Sequence, residues 1–228
     1  MNIKAPLVVG YKGEIGSFIL QGLLRTMSKA LNIWCFDVNE RTAERIQRIQ
    51  KADVIFLCVP VEKTVDWLHR YRKIIKGKII IEQSSLKGML KEQAADKSFT
   101  LLSMHMLFRP SATPEPADRR IVLIGHKAWD TYVRDIEEIT QARVVWTTDY
   151  RKHDIAMAYQ QALLHRVILT LGETLRGLPG QTYVGHRIME LDTRIRKGNK
   201  DMYRFIQGNR YLRIVLKEFN KNLRKFSL

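Results

Sequence analysis

Three glycines and one acidic residue near the N-terminus have the types and the spacing needed to bind a dinucleotide. Gly10, Gly13 and Gly16 follow a β-branched run and open a predicted helix. Glycines there permit a tight turn and a close approach of the backbone to a pyrophosphate, and the helix N-terminus adds free N–H groups. Asp37 ends the next predicted strand, where a carboxylate can bind the adenosine ribose hydroxyls. An ordinary glycine-rich turn and a helix cap at Asp37 are the alternatives.

The acidic residue also predicts which nicotinamide cofactor is preferred. The Asp37 carboxylate would repel a 2′-phosphate, so we predict NAD rather than NADP, although Arg41, one helical turn further on, could accommodate that phosphate. We predict no metal site. The predicted cofactor contacts come from the glycine loop, the start of its helix and the ends of two strands: Gly10, Tyr11, Lys12, Gly13, Glu14, Ile15, Gly16, Asp37, Val59 and Pro60.

A hydroxyl and an imidazole follow two later predicted strands. Ser85 comes after Ile79–Glu82, and His105 comes directly after Leu101–Met104. Because ligands of open α/β sheets bind at the carboxyl ends of the strands, we expect both side chains near the nicotinamide. A neutral imidazole can accept a proton near pH 7. A polar turn residue is the alternative interpretation of His105.

The elements that must position these residues follow the pattern of an α/β protein up to about residue 146. The predicted strands are Ala5–Val9, Ile33–Phe36, Val54–Val59, Ile79–Glu82, Leu101–Met104, Ile121–Ile124 and Arg143–Trp146. The predicted helices between them are Ile15–Met27, Glu40–Gln50, Glu62–Ile75, Leu86–Ala95 and Ala128–Ile139. The fold class is therefore α/β, with a Rossmann-like, mostly parallel sheet.

Beyond Thr147 the apolar residues recur only at helical spacing. Three helices are predicted there, His153–Leu175, Tyr183–Lys197 and Lys200–Phe226. We therefore predict a dinucleotide-binding domain at residues 1–147 and a smaller, all-helical domain at 148–228 that binds substrate and forms a dimer. Three helices without a sheet rarely bury their apolar stripes alone.

Composition excludes several classes of protein. The chain has 228 residues, of which 45% are hydrophobic, which is enough to bury a core and argues against disorder. It lacks an apolar stretch long enough to span a bilayer and a secretory signal at its N-terminus. Cys35 and Cys58 lie inside apolar runs, which is typical of buried, reduced thiols. We therefore predict a cytoplasmic protein without a membrane partner.

The net charge of +16 indicates an anionic partner. Residues 151–228 contain 16 Lys and Arg against 6 Asp and Glu, so most of the excess lies in the helical part. We find no recognised nucleic-acid-binding module and no base-stacking motif. We therefore attribute the charge to the attraction of an anionic small-molecule substrate, with nucleic-acid binding as a distant alternative.

Taken in order, these segments resemble the prephenate dehydrogenase family, which includes the arogenate dehydrogenases. The resemblance extends over nearly the whole chain. The family's glycine motif is similar to Gly10–Gly16, its Asp-x-x-Ser-x-Lys segment to Glu82–Lys87, its His-Pro-Met-Phe-Gly-Pro segment to His105–Pro110, its His-Asp pair and following histidine to His153-Asp154 and His165, and its Thr-Arg-Ile and Met-Trp segments to Thr193–Ile195 and Met202-Tyr203. Met106 and Leu107 depart from the Pro-Met of the family, Arg109 replaces a small residue, and Glu82 replaces Asp.

The resemblance implies an NAD-dependent oxidative decarboxylation of prephenate to 4-hydroxyphenylpyruvate in tyrosine biosynthesis. His105 would accept the proton of the 4-hydroxyl group of the substrate. Ser85 would orient the imidazole and this hydroxyl group. The residues implied in substrate binding are His165, Arg194, Arg109 and Tyr203. A homodimer formed through the helical region is implied as well.

Some assignments stay open at this point. His153 and Asp154 belong either to the site or to the helix framework, and Lys87 either shapes the pocket or belongs to a helix N-terminus. The alternative substrate is arogenate. The alternative enzyme class is an NAD(P)-dependent β-hydroxyacid or imine reductase. Those families usually place a catalytic lysine on the long helix after the sheet. Here Lys152 lies only at the very start of that helix, which disfavours this alternative.

Overall fold

A computed structural model describes residues 2–27, 32–112, 115–180, 182–198 and 200–225, with only the backbone of residues 146–148. The chain divides into two compact units, Met1–Tyr150 and Arg151–Leu228. Among the described residues, no helix has the length and apolar character required to cross a membrane.

The first unit is built on a seven-stranded sheet. The order of the strands is β2-β1-β3-β4-β5-β6-β7, and all neighbours are parallel except β5 and β6, which are antiparallel. The strands are β1 Pro6–Val9, β2 Trp34–Phe36, β3 Val54–Leu57, β4 Ile79–Glu82, β5 Thr100–Met106, β6 Arg120–Ile124 and β7 Arg143–Thr148. The predicted fold class is confirmed.

Helices cover both faces of this sheet, which explains why β1 and β3 are apolar at every position and fully buried. On one face, Ile19 and Ile139 pack with Phe56, and on the other, Ile49 and Leu68 pack around Ile55. The helices of this unit are α1 Glu14–Thr26, α2 Thr42–Lys51, α3 Val61–Tyr71, α4 Lys91–Ala94 and α5 Trp129–Thr140.

One predicted helix of the first unit is wrong. The segment predicted as Leu86–Ala95 forms a single 3₁₀ turn, Gly88–Leu90, followed by the short helix α4. The reason is the side chain of Lys87, which is fully buried and therefore directed inwards instead of lying on a solvent-exposed helix face.

The second unit consists of helices around a small core of Ala162, Ile206 and Leu212. Its helices are α6 Tyr150–Met157, the π-helical segment Ala158–Leu163, α7 Leu164–Leu175, α8 Tyr183–Lys197, α9 Lys200–Gln207 and α10 Leu212–Leu223. Helix α6 begins at Tyr150, the last residue of the first unit.

The helix predicted from Lys200 to Phe226 is also interrupted. It ends at Gln207 and restarts at Leu212, and Phe226 lies outside the described residues. The buried Asn209 occupies the break: its Nδ2 donates to the carbonyl oxygen of Asp154 at 2.7 Å, and its Oδ1 accepts from the Tyr211 N–H at 3.0 Å. The Asn209 side chain thus forms hydrogen bonds with backbone groups of Asp154 and Tyr211. Asparagine favours such local bonds over a continuous helix.

Candidate active site

The glycine loop connects β1 to α1 through two close backbone contacts. Gly10 has a φ of +80°, and a Cβ atom there would lie 2.5 Å from the carbonyl oxygen of Cys58 at the end of β3. A Cβ at Gly16 would lie 2.1 Å from the carbonyl oxygen of Gly10. Both positions therefore require glycine, and together they hold the start of α1 against the carboxyl ends of β1 and β3.

The N-terminus of α1 has the properties of an anion site. Its N-cap residue is Gly13, so the first N–H groups of the helix receive no side-chain cap. A Cβ at Gly13 would meet only the carbonyl oxygen of Gly10, at 3.4 Å, so the space in front of the helix is left open. Free N–H groups and the helix dipole favour a phosphate at this point.

Asp37 lies beside the glycine loop. Its Oδ2 accepts a hydrogen bond from the backbone N–H of Lys12 at 3.1 Å, and its Oδ1 accepts from the N–H of Val38 at 2.8 Å. The alternative of a helix cap is wrong, because α2 begins only at Thr42 and its N-cap residue is Arg41. Asp37 also lines a cavity.

That cavity has a volume of about 430 Å³ and joins the glycine loop to the ends of β2 and β3. Of the predicted cofactor residues, it is lined by Gly10, Gly13, Asp37, Val59 and Pro60. The remaining ones, Tyr11, Lys12, Glu14, Ile15 and Gly16, form the loop and the start of α1.

The far wall of the cavity comes from helices that the sequence did not single out. Arg45 on α2 and Lys63, Trp67 and Arg70 on α3 line it. The Nε of Arg45 and the Nε1 of Trp67 are buried donors with no hydrogen-bond partner among the described residues. A ligand rich in acceptor atoms, as an adenosine phosphate is, fits such a wall. Helical spacing shows that residues 63, 67 and 70 share a face, but not that this face borders the site.

Glu14, at the start of α1, binds the loop that follows β5. Its carboxylate accepts from the Ser111 N–H at 2.8 Å and from Arg109 Nε at 3.1 Å. Burial alone would raise the pKa of Glu14, but these hydrogen bonds and the positive charge of Arg109 outweigh it and lower the pKa. Arg109, predicted to bind a substrate carboxylate, is thus paired with a carboxylate of the protein.

A buried ion pair joins the ends of β4 and β5. The Nζ of Lys87 lies 2.6 Å from Glu82 Oε1 and donates to the carbonyl oxygen of Met104 at 2.7 Å. The other oxygen, Glu82 Oε2, accepts from the Ser84 N–H at 2.7 Å. Both side chains are 0% exposed. The ion pair therefore connects two parts of the site. It links the turn that contains Ser85 to Met104, the residue before His105.

His105 lies within β5 and not after it. It is opposite Val122 of the antiparallel strand β6 and is 4% exposed. By the alternation of a strand, it shares a face with Ser103, whose hydroxyl lies 3.3 Å from the Tyr150 hydroxyl. Ser85 is half-buried after the end of β4, the strand next to β5. The imidazole and the hydroxyl therefore approach the same edge of the sheet as the glycine loop.

In the second unit, two of the predicted substrate residues lie side by side. The rings of His165 on α7 and Tyr203 on α9 are stacked at 17°, with centroids 6.2 Å apart. The Nδ1 of His165 is buried without a hydrogen-bond partner among the described residues. The π-helical segment Ala158–Leu163 ends two residues before His165, and such segments are frequent at functional sites.

Arg194 differs from its basic neighbours on α8. The buried Asp192 binds Arg196 at 2.8 Å and Arg176 at 3.1 Å. Arg194 is exposed and makes no ion pair within the described ranges of the chain. Its guanidinium is therefore available to an anion.

His153 and Asp154 are both buried, and His153 Nδ1 lies 3.1 Å from Asp154 Oδ1. The carbonyl oxygen of Asp154 accepts the hydrogen bond from Asn209 described above. These contacts place the pair in the framework that joins α6 to the break before α10.

One family model matches part of the chain. Residues 25–110 match the family model described as prephenate dehydrogenase, nucleotide-binding domain. The matched segment contains Asp37, Ser85 and His105 and begins after the glycine loop. This segment is therefore similar to the nucleotide-binding domain of prephenate dehydrogenases. No curated protein matches the chain.

Several solved structures share the fold of this chain. A prephenate dehydrogenase from Aquifex aeolicus, solved with hydroxyphenyl propionate and NAD+, has a TM-score of 0.76 at 18% identity, covering 99% of this chain and 90% of that one. A second structure of the enzyme from Aquifex aeolicus gives 0.76 at 18%, covering 96% and 89%. An imine reductase variant from Myxococcus stipitatus, in complex with NAD+, gives 0.56 at 14%, covering 97% and 78%.

The buried ion pair between Glu82 and Lys87 generates a stability prediction. Lys87→Met leaves the Glu82 carboxylate buried without its counter-charge, which is expected to lower the free energy of unfolding by about 3–5 kcal/mol. The double variant Glu82→Leu/Lys87→Met removes both charges and is expected to recover most of this loss. Urea denaturation of the wild type and of both variants measures these free energies.

The matched control is Lys91→Met, which removes an exposed lysine from α4 and should change the free energy by less than about 0.5 kcal/mol. A double variant as unstable as Lys87→Met would contradict the role of the ion pair.

His165 generates a pH prediction. Burial lowers the pKa of His165 below its ordinary value of 6.5, so the unfolded state binds the proton first as the pH falls. The stabilisation is therefore present above about pH 6.5 and is lost as the pH falls through the pKa of the folded state. His165→Phe keeps an aromatic ring against Tyr203 but has no group that titrates. When the pH is lowered from about 8 to about 5.5, we expect the melting temperature of this variant to fall less than that of the wild type.

The control variant is His186→Gln, since the side chain of His186 is 67% exposed. It should follow the wild-type pH curve. An identical pH dependence in His165→Phe and the wild type would show that burial of this imidazole has no measurable effect.

Proposed function

We propose that the protein is an NAD-dependent dehydrogenase that converts prephenate to 4-hydroxyphenylpyruvate. The observation that carries this proposal is the position of His105, which is buried near the carboxyl end of β5, on the same edge of the sheet as the glycine loop. The match of residues 25–110 to the prephenate dehydrogenase nucleotide-binding domain supports the same reaction class. A place in tyrosine biosynthesis follows, because the product is the keto acid of tyrosine.

NAD is the cofactor that the first unit fits. The N-terminus of α1 would hold the pyrophosphate, and Asp37 would accept hydrogen bonds from the adenosine ribose. The buried donors of Arg45 and Trp67 would face the adenosine. When bound, NAD+ supplies the hydride acceptor. The NAD+ complex of the Aquifex aeolicus enzyme, which shares the fold, supports this assignment.

His105 would take the proton of the 4-hydroxyl group as C4 loses its hydride. An imidazole can accept a proton near pH 7, and Ser85 would orient the hydroxyl group and the imidazole. The ring carboxylate leaves as CO2, and the aromatic ring that forms supplies the driving force. The protein therefore has to supply position, a proton acceptor and cationic anchors.

Arg194 is our candidate for the anchor of a substrate carboxylate. Its exposed guanidinium has the planar geometry for a bidentate contact, and within the described residues no carboxylate competes for it. His165 and Tyr203 would form an aromatic wall for the ring of the substrate. Arg109 is less suited because Glu14 binds it, and we assign it to the positioning of the loop after β5.

Arogenate is the second candidate substrate. It differs from prephenate only in an amino group in place of the side-chain keto group, so the same proton acceptor and the same carboxylate anchors serve both. The imine reductase fold is similar, but within the described residues α6 and α7 contain only Lys152 as a lysine, on the exposed first turn of α6.

The test is an assay of NADH formation, by absorbance, with prephenate and arogenate, each with NAD+ and NADP+. We expect turnover of prephenate with NAD+. His105→Asn should bind NAD+ as tightly as the wild type but lower kcat by about two to four orders of magnitude, because the proton acceptor is lost.

The control is His69→Asn, which changes an exposed histidine on α3 and should leave kcat unchanged. An unchanged kcat in His105→Asn would remove this imidazole from the reaction. Absence of turnover with both substrates and both cofactors would overturn the proposed function.

We also propose a homodimer formed through the helical unit. Most of the exposed large apolar side chains of the described residues lie there, among them Leu164 and Leu171, which are one heptad apart on α7. Exposed apolar surface of this kind is typical of subunit interfaces. We also propose that the protein is cytoplasmic. The thiols of Cys35 and Cys58 are free, which is typical of a reducing compartment.

Light scattering after size-exclusion chromatography tests the dimer. We expect a mass of twice 26.7 kDa, and a shift to the monomer for Leu164→Glu/Leu171→Glu. The control is Leu24→Glu, which places the charge on an exposed leucine of the first unit and should stay dimeric. A monomeric wild type would contradict the proposal.

A further inference from the structure

Two neighbouring side chains at the end of β4 each bury a polar atom without a partner. Gln83 is 8% exposed and Ser84 is 7% exposed. Neither Gln83 Oε1 nor Ser84 Oγ has a hydrogen-bond partner in the part of the chain that the structure describes. Buried polar atoms are almost always satisfied, and an unsatisfied atom costs free energy. Two of them side by side indicate a place where a ligand supplies the missing partners.

The turn that carries these atoms is held in place. The Nε2 of Gln83 donates to Cys58 Sγ at 3.0 Å, which leaves Oε1 as the free acceptor of the amide. The N–H of Ser84 donates to Glu82 Oε2 at 2.7 Å, and Glu82 is itself fixed by Lys87. The amide group of Gln83 and the backbone of Ser84 are therefore fixed before any ligand arrives.

Their place in the sheet fits one end of the dinucleotide. Asp37, at the end of β2, marks the adenosine end, and the helix N-terminus after β1 marks the pyrophosphate. The other half of the cofactor must therefore extend from β1 past β3 to β4. Neighbouring strands are about 4.8 Å apart, so the end of β4 lies roughly 10 Å from that of β1, within reach of a ribose and its pyridine ring.

The missing partners match the carboxamide of the nicotinamide ring. A carboxamide offers N–H donors and one carbonyl acceptor. Gln83 Oε1 can only accept, and the Ser84 hydroxyl group can donate. We propose that Gln83 Oε1 accepts a hydrogen bond from the carboxamide N–H and that Ser84 Oγ donates to the carboxamide oxygen, which fixes the rotation of the ring. This inference depends on the proposed NAD site.

Three ligands separate the two contacts in binding measurements by calorimetry. NAD+ has the complete carboxamide. The acetylpyridine analogue of NAD+ keeps the carbonyl group but has a methyl group in place of the N–H donors. ADP-ribose lacks the pyridine ring. In the wild type, we expect ADP-ribose to bind, and NAD+ to bind more tightly than the acetylpyridine analogue.

Gln83→Met is expected to weaken NAD+ about tenfold, because one buried hydrogen bond is lost, and to leave the acetylpyridine analogue and ADP-ribose unchanged. Ser84→Ala is expected to weaken both NAD+ and the acetylpyridine analogue, since both retain the carbonyl oxygen, but not ADP-ribose. The two variants thus have different signatures, and melting curves without ligand show that each one is folded. If one variant fails to fold, the other still decides its own contact.

The matched control is Gln93→Met. The Oε1 of Gln93 is also buried without a partner among the described residues, but Gln93 lies on α4 and lines a different cavity. It should bind all three ligands as the wild type does. If Gln83→Met and Ser84→Ala weaken ADP-ribose as much as NAD+, or leave NAD+ unchanged, the carboxamide contacts are overturned. If the wild type binds neither ADP-ribose nor NAD+, the proposed cofactor site itself fails.

Discussion

The dinucleotide site depends on a backbone contact between the glycine loop and the end of β3. Gly10 approaches the carbonyl oxygen of Cys58 so closely that no Cβ atom fits between them, and Gly16 approaches Gly10 in the same way. These contacts place the first turn of α1 over the carboxyl ends of the strands. Without them, the free N–H groups of the helix would not face the cavity that Asp37 borders. The anion site is therefore a consequence of backbone packing more than of any single side chain.

The end of β4 shows two opposite treatments of buried polar groups. Glu82 and Lys87 satisfy each other and two backbone groups, so their burial yields a rigid connection between β4 and β5. Gln83 and Ser84, in the same turn, each bury one oxygen atom that has no hydrogen-bond partner among the described residues. Burying the charges of Glu82 and Lys87 is unfavourable, but their mutual contact and their hydrogen bonds to the backbone compensate for it. For Gln83 and Ser84 we propose that a bound ligand supplies the missing hydrogen bonds, while the rigid ion pair holds the turn in position.

Much of the first unit could be predicted from the sequence, because its information is local. Each strand is a short apolar run, and the glycines stand between a strand and a helix. The errors have local causes as well. Inward rotation of Lys87 shortens the helix predicted at Leu86–Ala95, and the hydrogen bonds of Asn209 interrupt the helix predicted from Lys200. In both cases a buried side chain with polar partners overrides the helical pattern, which contains no information about those partners.

The sequence by itself determined the order of strands and helices, the position of the glycine loop and the sheet edge at which His105 and Ser85 lie. These features follow from apolar periodicity and from the geometry of parallel strands. Only the tertiary structure decided which charged and polar groups are already bound. It pairs Arg109 with Glu14, which is 95 residues away, and leaves Arg194 exposed beside the engaged Arg196. It also adds Arg45 and Trp67 to the cavity wall. Partners distant in the chain meet only when the elements pack, and no spacing along the sequence encodes that encounter.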